Sequence, residues 1–130
     1  VDTAKANEGD IYELIGEEGF QKLVGAFYRQ VVDDDILGPM YPRHDMQGAE
    51  ERLRDFLRFR FGGPADYLEK RGHPRLRMRH MPFRVDEKAR DRWVELMDRA
   101  IVDAAIPEAA AATLRDFFHH TATFLRNDIS

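Results

Sequence analysis

Apolar residues recur at steps of three and four along most of this chain, a spacing that suits helices and not strands. Phe20, Leu23, Val24, Phe27, Tyr28 and Val31 form one stripe. Ala49, Leu53, Phe56 and Leu57 form a second, with Phe61 near its end. Ala89, Trp93, Leu96, Met97, Ala100, Ile101 and Ala104 form a third, and Ala111, Leu114, Phe117, Phe118, Thr121, Phe124 and Leu125 a fourth. No strand-like alternation, internal repeat or low-complexity segment interrupts them, since the run Ala109 to Ala112 is accounted for by helix propensity. The expected fold class is all-α, with four substantial helices.

The punctuation between stripes agrees. Asp10 with Glu13 reads as a capping box for a short helix ending near Gly16. The first stripe stops at Asp33-Asp34-Asp35, and Gly38, Pro39 and Pro42 mark a tight corner. Gly62-Gly63-Pro64 ends the second helix, because glycine tolerates left-handed backbone and proline lacks the N–H that would continue the ladder. Asp86 is placed to cap the third helix, and Pro107 suits the first turn of the last. Residues 1–9 carry no apolar pattern and read as a flexible tail.

Composition removes several function classes. The chain has 130 residues, one domain's worth, with 43% hydrophobic and 34% charged residues. It has no cysteine, which excludes disulfides, thiolate nucleophiles, and cysteine-held zinc or iron–sulfur sites. The formal charge of −4 argues against nucleic acid as a partner. No apolar run approaches the roughly 20 residues of a membrane span. Val1 to Asp10 lacks the apolar middle of a signal peptide, so a cytoplasmic protein is expected.

The segment from Arg71 to Phe83 is the chemically informative one. It gathers His73, His80, Arg71, Arg75, Arg77 and Arg79 among apolar residues. A solvated basic loop is one reading. Arginine contacts to phosphate or nucleic acid are a second. A cofactor site is the third, with histidine as metal ligand and arginine's planar fork meeting a carboxylate. Zinc suits poorly, because there is no His-Glu-x-x-His and no cysteine. Paired Glu-x-x-His motifs for a di-iron site are also missing. Haem needs a single histidine and a large apolar pocket, so a lone His80 suits it better than other metal centres. Spacing goes no further than this.

The run Gly72-His73-Pro74-Arg75-Leu76-Arg77-Met78-Arg79-His80 resembles the group II truncated haemoglobins. Supporting pieces occur in order: Phe27-Tyr28, Met40-Tyr41-Pro42, Ala49-Glu50-Glu51-Arg52-Leu53, Gly62-Gly63-Pro64 and Arg92-Trp93. The likeness runs from about Ile11 to Asn127. It implies a shortened globin, two helices over two, occupying residues 10–130. It departs at Phe61, where relatives often carry tryptophan, and at Met81, a variable position.

The resemblance implies His80 as the proximal ligand to the iron of a non-covalent haem b. It implies Arg79 and Arg52 as partners of the haem propionates, and His73 as a contact at the haem edge. Tyr28, Tyr41 and Trp93 match the family's polar distal cluster, where donors stabilise charge on bound oxygen. Ala49 stands where many other globins place a distal histidine. Leu53, Phe56, Leu57, Tyr67, Leu76, Phe83 and Met97 are candidate pocket walls.

Reversible binding of dioxygen and other diatomic ligands is the function so implied, in storage or transport. A donor to bound oxygen is worth on the order of 1–3 kcal/mol, which slows release roughly tenfold to a hundredfold. Slow release also suits a redox enzyme, a nitric oxide dioxygenase or a peroxidase, supplied by an external reductase. A haem-based sensor is a third reading. A homodimer is left open.

Overall fold

The structure, a computed structural model, describes residues 5–64 and 85–126. Four helices carry it: α1 (Ile11–Val31), α2 (Met46–Arg60), α3 (Glu87–Asp103) and α4 (Glu108–Leu125). No strand occurs among the described residues. There, too, no helix is long and apolar enough to cross a membrane.

The four stripes become the four buried faces. Phe20, Leu23, Val24, Phe27 and Val31 of α1 are fully buried, as are Leu57 on α2, Met97 on α3 and Leu114 on α4. Burial of each large side chain contributes about 1.5–3 kcal/mol. α1 packs against both α2 and α3, and α3 against α4, so an α1/α2 pair lies on an α3/α4 pair.

Capping follows the sequence in one case and departs from it in others. Asp86 accepts the N–H of Ala89 at 2.9 Å and starts α3, as expected. Pro107 stands at the N-cap of α4, one residue before its first turn. The capping box at Asp10 does not form. Asp10 is in helical conformation (φ −102°, ψ −5°) and closes a 3-10 turn, Glu8–Asp10, so its side chain makes no cap bond. α1 breaks at Gly16, which adopts φ 65°, ψ −177°. That break is the helix end expected there.

The N-terminal segment makes contacts of its own. Within residues 5–9, the part of the supposed tail that is described, the chain is docked. Ala6 N–H donates to the Ala109 carbonyl (3.1 Å), and the Thr113 hydroxyl donates back to the Ala6 carbonyl (2.5 Å). Lys5 pairs with Asp116, and Glu8 with Arg60 at 2.8 Å. Gly62, at φ 96°, lies so close that a Cβ there would stand 2.2 Å from the Gly9 carbonyl oxygen. This strap therefore ties the end of α2 to α4.

The α3–α4 corner closes with Ile106 N–H on the Ile101 carbonyl and Ala105 N–H on the Val102 carbonyl. These are the paired bonds of a Schellman cap, with Ala105 in the left-handed region (φ 53°) that glycine usually fills.

Candidate functional site

Three polar aromatic side chains reach one cavity from three different parts of the chain. Tyr28 comes from the buried face of α1, and Trp93 from α3. Tyr41 comes from the corner after α1, whose course is set by Asp34. The Asp34 carboxylate accepts the N–H groups of Ile36 (3.0 Å) and Leu37 (2.8 Å), and its carbonyl accepts that of Gly38 (3.0 Å). A 3-10 turn over Gly38–Met40, with Pro39 in its first positions, then delivers Tyr41.

The rings form a packed set. Tyr28 and Tyr41 meet edge to face, centroids 5.5 Å apart at 88°. Phe27 bridges Tyr28 and Trp93, 5.3 Å from each, and Phe118 backs Trp93 at 5.5 Å. Such edge-on contacts hold ring orientations as well as burying area.

The hydroxyls are held protonated. Burial pushes the Tyr41 phenol up to about 12, against hydrogen bonding from Trp93 and Tyr28. Tyr28 is raised further, by burial first and then by its neighbour Tyr41. Tyr28 also lies 3.3 Å from the Ala49 carbonyl, which accepts its proton. Indole only donates. Tyr28 thus gives its one proton to Ala49, while Tyr41 stays protonated beside the Trp93 donor.

The cavity measures about 610 Å³, within the usual range of roughly 300–1,000 Å³ for cofactor sites. Of the residues expected around it, Tyr28, Tyr41, Trp93, Ala49, Arg52, Leu53 and Phe56 line it. Leu57 and Met97 do not; both are fully buried in the core. His80, Arg79, His73, Tyr67, Leu76 and Phe83 lie outside the described residues.

Sequence reading missed a second wall of Val85, Ala89, Arg90, Thr121, Ala122 and Leu125. Ala89, Thr121 and Leu125 were legible as stripe residues, but nothing marked Arg90. Its Nε and Nη2 donate to Thr123 Oγ1 at 3.1 and 3.0 Å. Arg52 pairs with Asp45 at 3.3 Å and is exposed. The cavity thus joins an apolar interior, two guanidinium groups and a cluster of donors. That donor set suits a flat apolar cofactor with acidic side chains and a polar ligand: the residues present fit haem.

Comparison with known proteins agrees. Residues 10–127 match the family described as bacterial-like globin. A thermostable hemoglobin from the actinobacterium Thermobifida fusca is similar at 46% identity and a TM-score of 0.85, over 90% of this chain and 96% of that one. The group II truncated hemoglobin from Bacillus anthracis is 30% identical, with a TM-score of 0.87 over 92% of each chain. A truncated oxygen-avid haemoglobin from Bacillus subtilis is 33% identical, with a TM-score of 0.85 over 90% of this chain and 98% of that one.

Two helices stacked on two, around a cavity of this kind, define a truncated globin. The chain belongs to the bacterial-like globin family, within the group II truncated haemoglobins. A haem cofactor and the binding of a diatomic ligand come with that membership.

Proposed function

We propose that the chain holds haem b without covalent attachment, with His80 as its proximal ligand, and that it binds dioxygen with slow release. The convergence of Tyr28, Tyr41 and Trp93 on one cavity wall carries this reading. When bound, haem supplies a ferrous iron that takes a diatomic ligand and passes charge to it. The chain's own part is to meet that charge. Tyr41 directs its hydroxyl at the ligand, with Trp93 beside it. Tyr28, turned toward Ala49, fixes Tyr41. Preorganised donors in a water-poor site act more strongly than the same groups in water. Ala49, with only a methyl, leaves this work to the aromatic cluster. Arg52 and, on the segment with His80, Arg79 are assigned to the haem's carboxylates. The solved Bacillus subtilis relative, described as oxygen-avid, supports slow release.

Retention of oxygen also favours a redox role over bulk delivery. In that role haem would supply the oxygen-binding iron, dioxygen would be the oxidant that takes nitric oxide to nitrate, and an external reductase would supply the electron.

Reconstitution with haem tests the proposal. A Soret band is expected, and its absence refutes haem binding. His80→Ala is expected to lose the native iron–histidine signal in resonance Raman of the ferrous protein, whereas His73→Ala keeps it; an unchanged signal in His80→Ala refutes the assignment. Tyr41→Phe and Trp93→Phe are expected to speed oxygen release by about tenfold to a hundredfold in stopped flow, the equivalent of one strong hydrogen bond each.

A further inference from the structure

We propose that Arg92 and Asp34 form a latch that sets Tyr41 against Trp93, making both of them positioning residues for the ligand-binding wall. The inference rests on the haem-pocket reading above and goes beyond it, since neither side chain lines the cavity.

Asp34 is the middle member of an acidic run that looks in the sequence like a solvated helix end. In the structure its side chain is only 7% exposed, whereas that of Asp35 is 83% exposed. The carboxylate divides its work. Oδ2 accepts the two backbone N–H groups that shape the corner, and Oδ1 accepts Arg92 Nη1 at 2.5 Å. The same Nη1 lies 2.9 Å from Asp35, and Arg92 Nε lies 3.5 Å from Glu95 on its own helix. Arg92 therefore ties α3 to the corner through one nitrogen.

The positions of these residues give the tie its consequence. Arg92 immediately precedes Trp93, so holding its head group fixes the rotation of that turn of α3. Asp34 organises Ile36 to Gly38, three residues before Tyr41. Leu37, whose N–H the carboxylate holds, is buried and lines the cavity. One ion pair thus sets the two backbones that present the two donors. Hydrogen bonds weaken steeply as angle and distance degrade, so a small slip between these backbones lowers donor strength at the ligand. An ordinary exposed ion pair contributes little to stability. This pair has a buried carboxylate whose other oxygen is already committed, which makes it a fixed point.

Three variants test the latch. Asp34→Asn keeps an oxygen for the backbone N–H groups but removes the charge facing Arg92. Arg92→Met removes the cation and keeps the stem. Arg92→Lys supplies a point charge that can bridge Asp34 and Asp35 as Nη1 does. In the haem-loaded protein, Asp34→Asn and Arg92→Met are expected to raise the carbon monoxide stretching frequency and speed oxygen release about three- to tenfold, the worth of one ordinary hydrogen bond. Arg92→Lys is expected to restore both toward the parent.

Trp93 is the chain's single tryptophan, so its fluorescence gives a readout free of haem. In the apoprotein, Asp34→Asn and Arg92→Met are expected to change its emission maximum and raise its quenching by acrylamide, again with recovery in Arg92→Lys. Folded Arg92→Met with parental carbon monoxide stretch, release rate and Trp93 emission overturns the latch. If the protein takes up no haem, the haem reading fails, and the emission series alone decides the latch. If Arg92→Met fails to fold, Asp34→Asn decides by the same measurements.

Discussion

The strap across α2 and α4 and the wall of the cavity are both built from long-range contacts, but by different means. The strap is held largely through backbone: Ala6 to Ala109, Thr113 to the Ala6 carbonyl, and the Gly9 carbonyl pressed on Gly62. The cavity wall is held by ring against ring, with Phe27 and Phe118 behind Tyr28 and Trp93. Backbone docking leaves almost no pattern in residue type. Aromatic packing leaves a periodic one. The difference also separates what each region controls: the strap bears on stability alone, whereas the wall bears on ligand chemistry as well.

That separation is open to test. Gly62→Ala is expected to have the largest effect. Its Cβ would meet the Gly9 carbonyl, and φ of 96° already disfavours any side chain, so a loss of about 2–4 kcal/mol is expected in chemical denaturation. Oxygen release from the folded fraction should stay parental, and a changed rate would show that the strap reaches the pocket. Thr113→Val removes the hydroxyl that serves Ala6 and is expected to cost about 1–2 kcal/mol, again with parental release.

The wall should answer to pH in the opposite sense from a carboxylate whose pKa falls on folding. The Tyr41 phenol is raised from 10.0 to about 12 by burial, so the folded state holds its proton where the unfolded chain has lost it. Its contribution is complete below pH 10 and is lost as pH rises through about 12. Phenolate absorbance should show a step missing in Tyr41→Phe, and stability should fall less steeply in that variant between these values. A parental alkaline profile in Tyr41→Phe would place this phenol in water.

Much of the fold was legible because helical period reports directly on buried faces. Phe20 to Val31 and the Asp86 cap could be read without a structure. Periodicity could not tell a core residue from a cavity wall: Leu57 and Phe56 are neighbours on one stripe, yet only Phe56 lines the cavity. Met97 likewise shares a stripe with Trp93 yet is fully buried in the core. Tyr41 lies in an irregular corner, where no period exists, and only family resemblance pointed to it. Arg90 lies off its helix's apolar stripe and reads as surface, because the guanidinium's reach to Thr123 depends on how α3 meets α4. The docking of Ala6 had no side-chain signature at all.

Ala105 shows that the fold has headroom. An L-residue in the left-handed region is disfavoured by about 1–2 kcal/mol, while glycine carries its own entropic disadvantage in the unfolded chain. Ala105→Gly is therefore expected to raise stability by about 0.5–1 kcal/mol, read as a higher denaturation midpoint at unchanged slope. The corner is remote in sequence from Tyr28 and Tyr41 and takes no part in lining the cavity. A lineage or an experimenter could draw on that margin to carry a destabilising change in the pocket. Ala105 is thus a site where tolerance to new ligand chemistry can be tuned without touching the ligand.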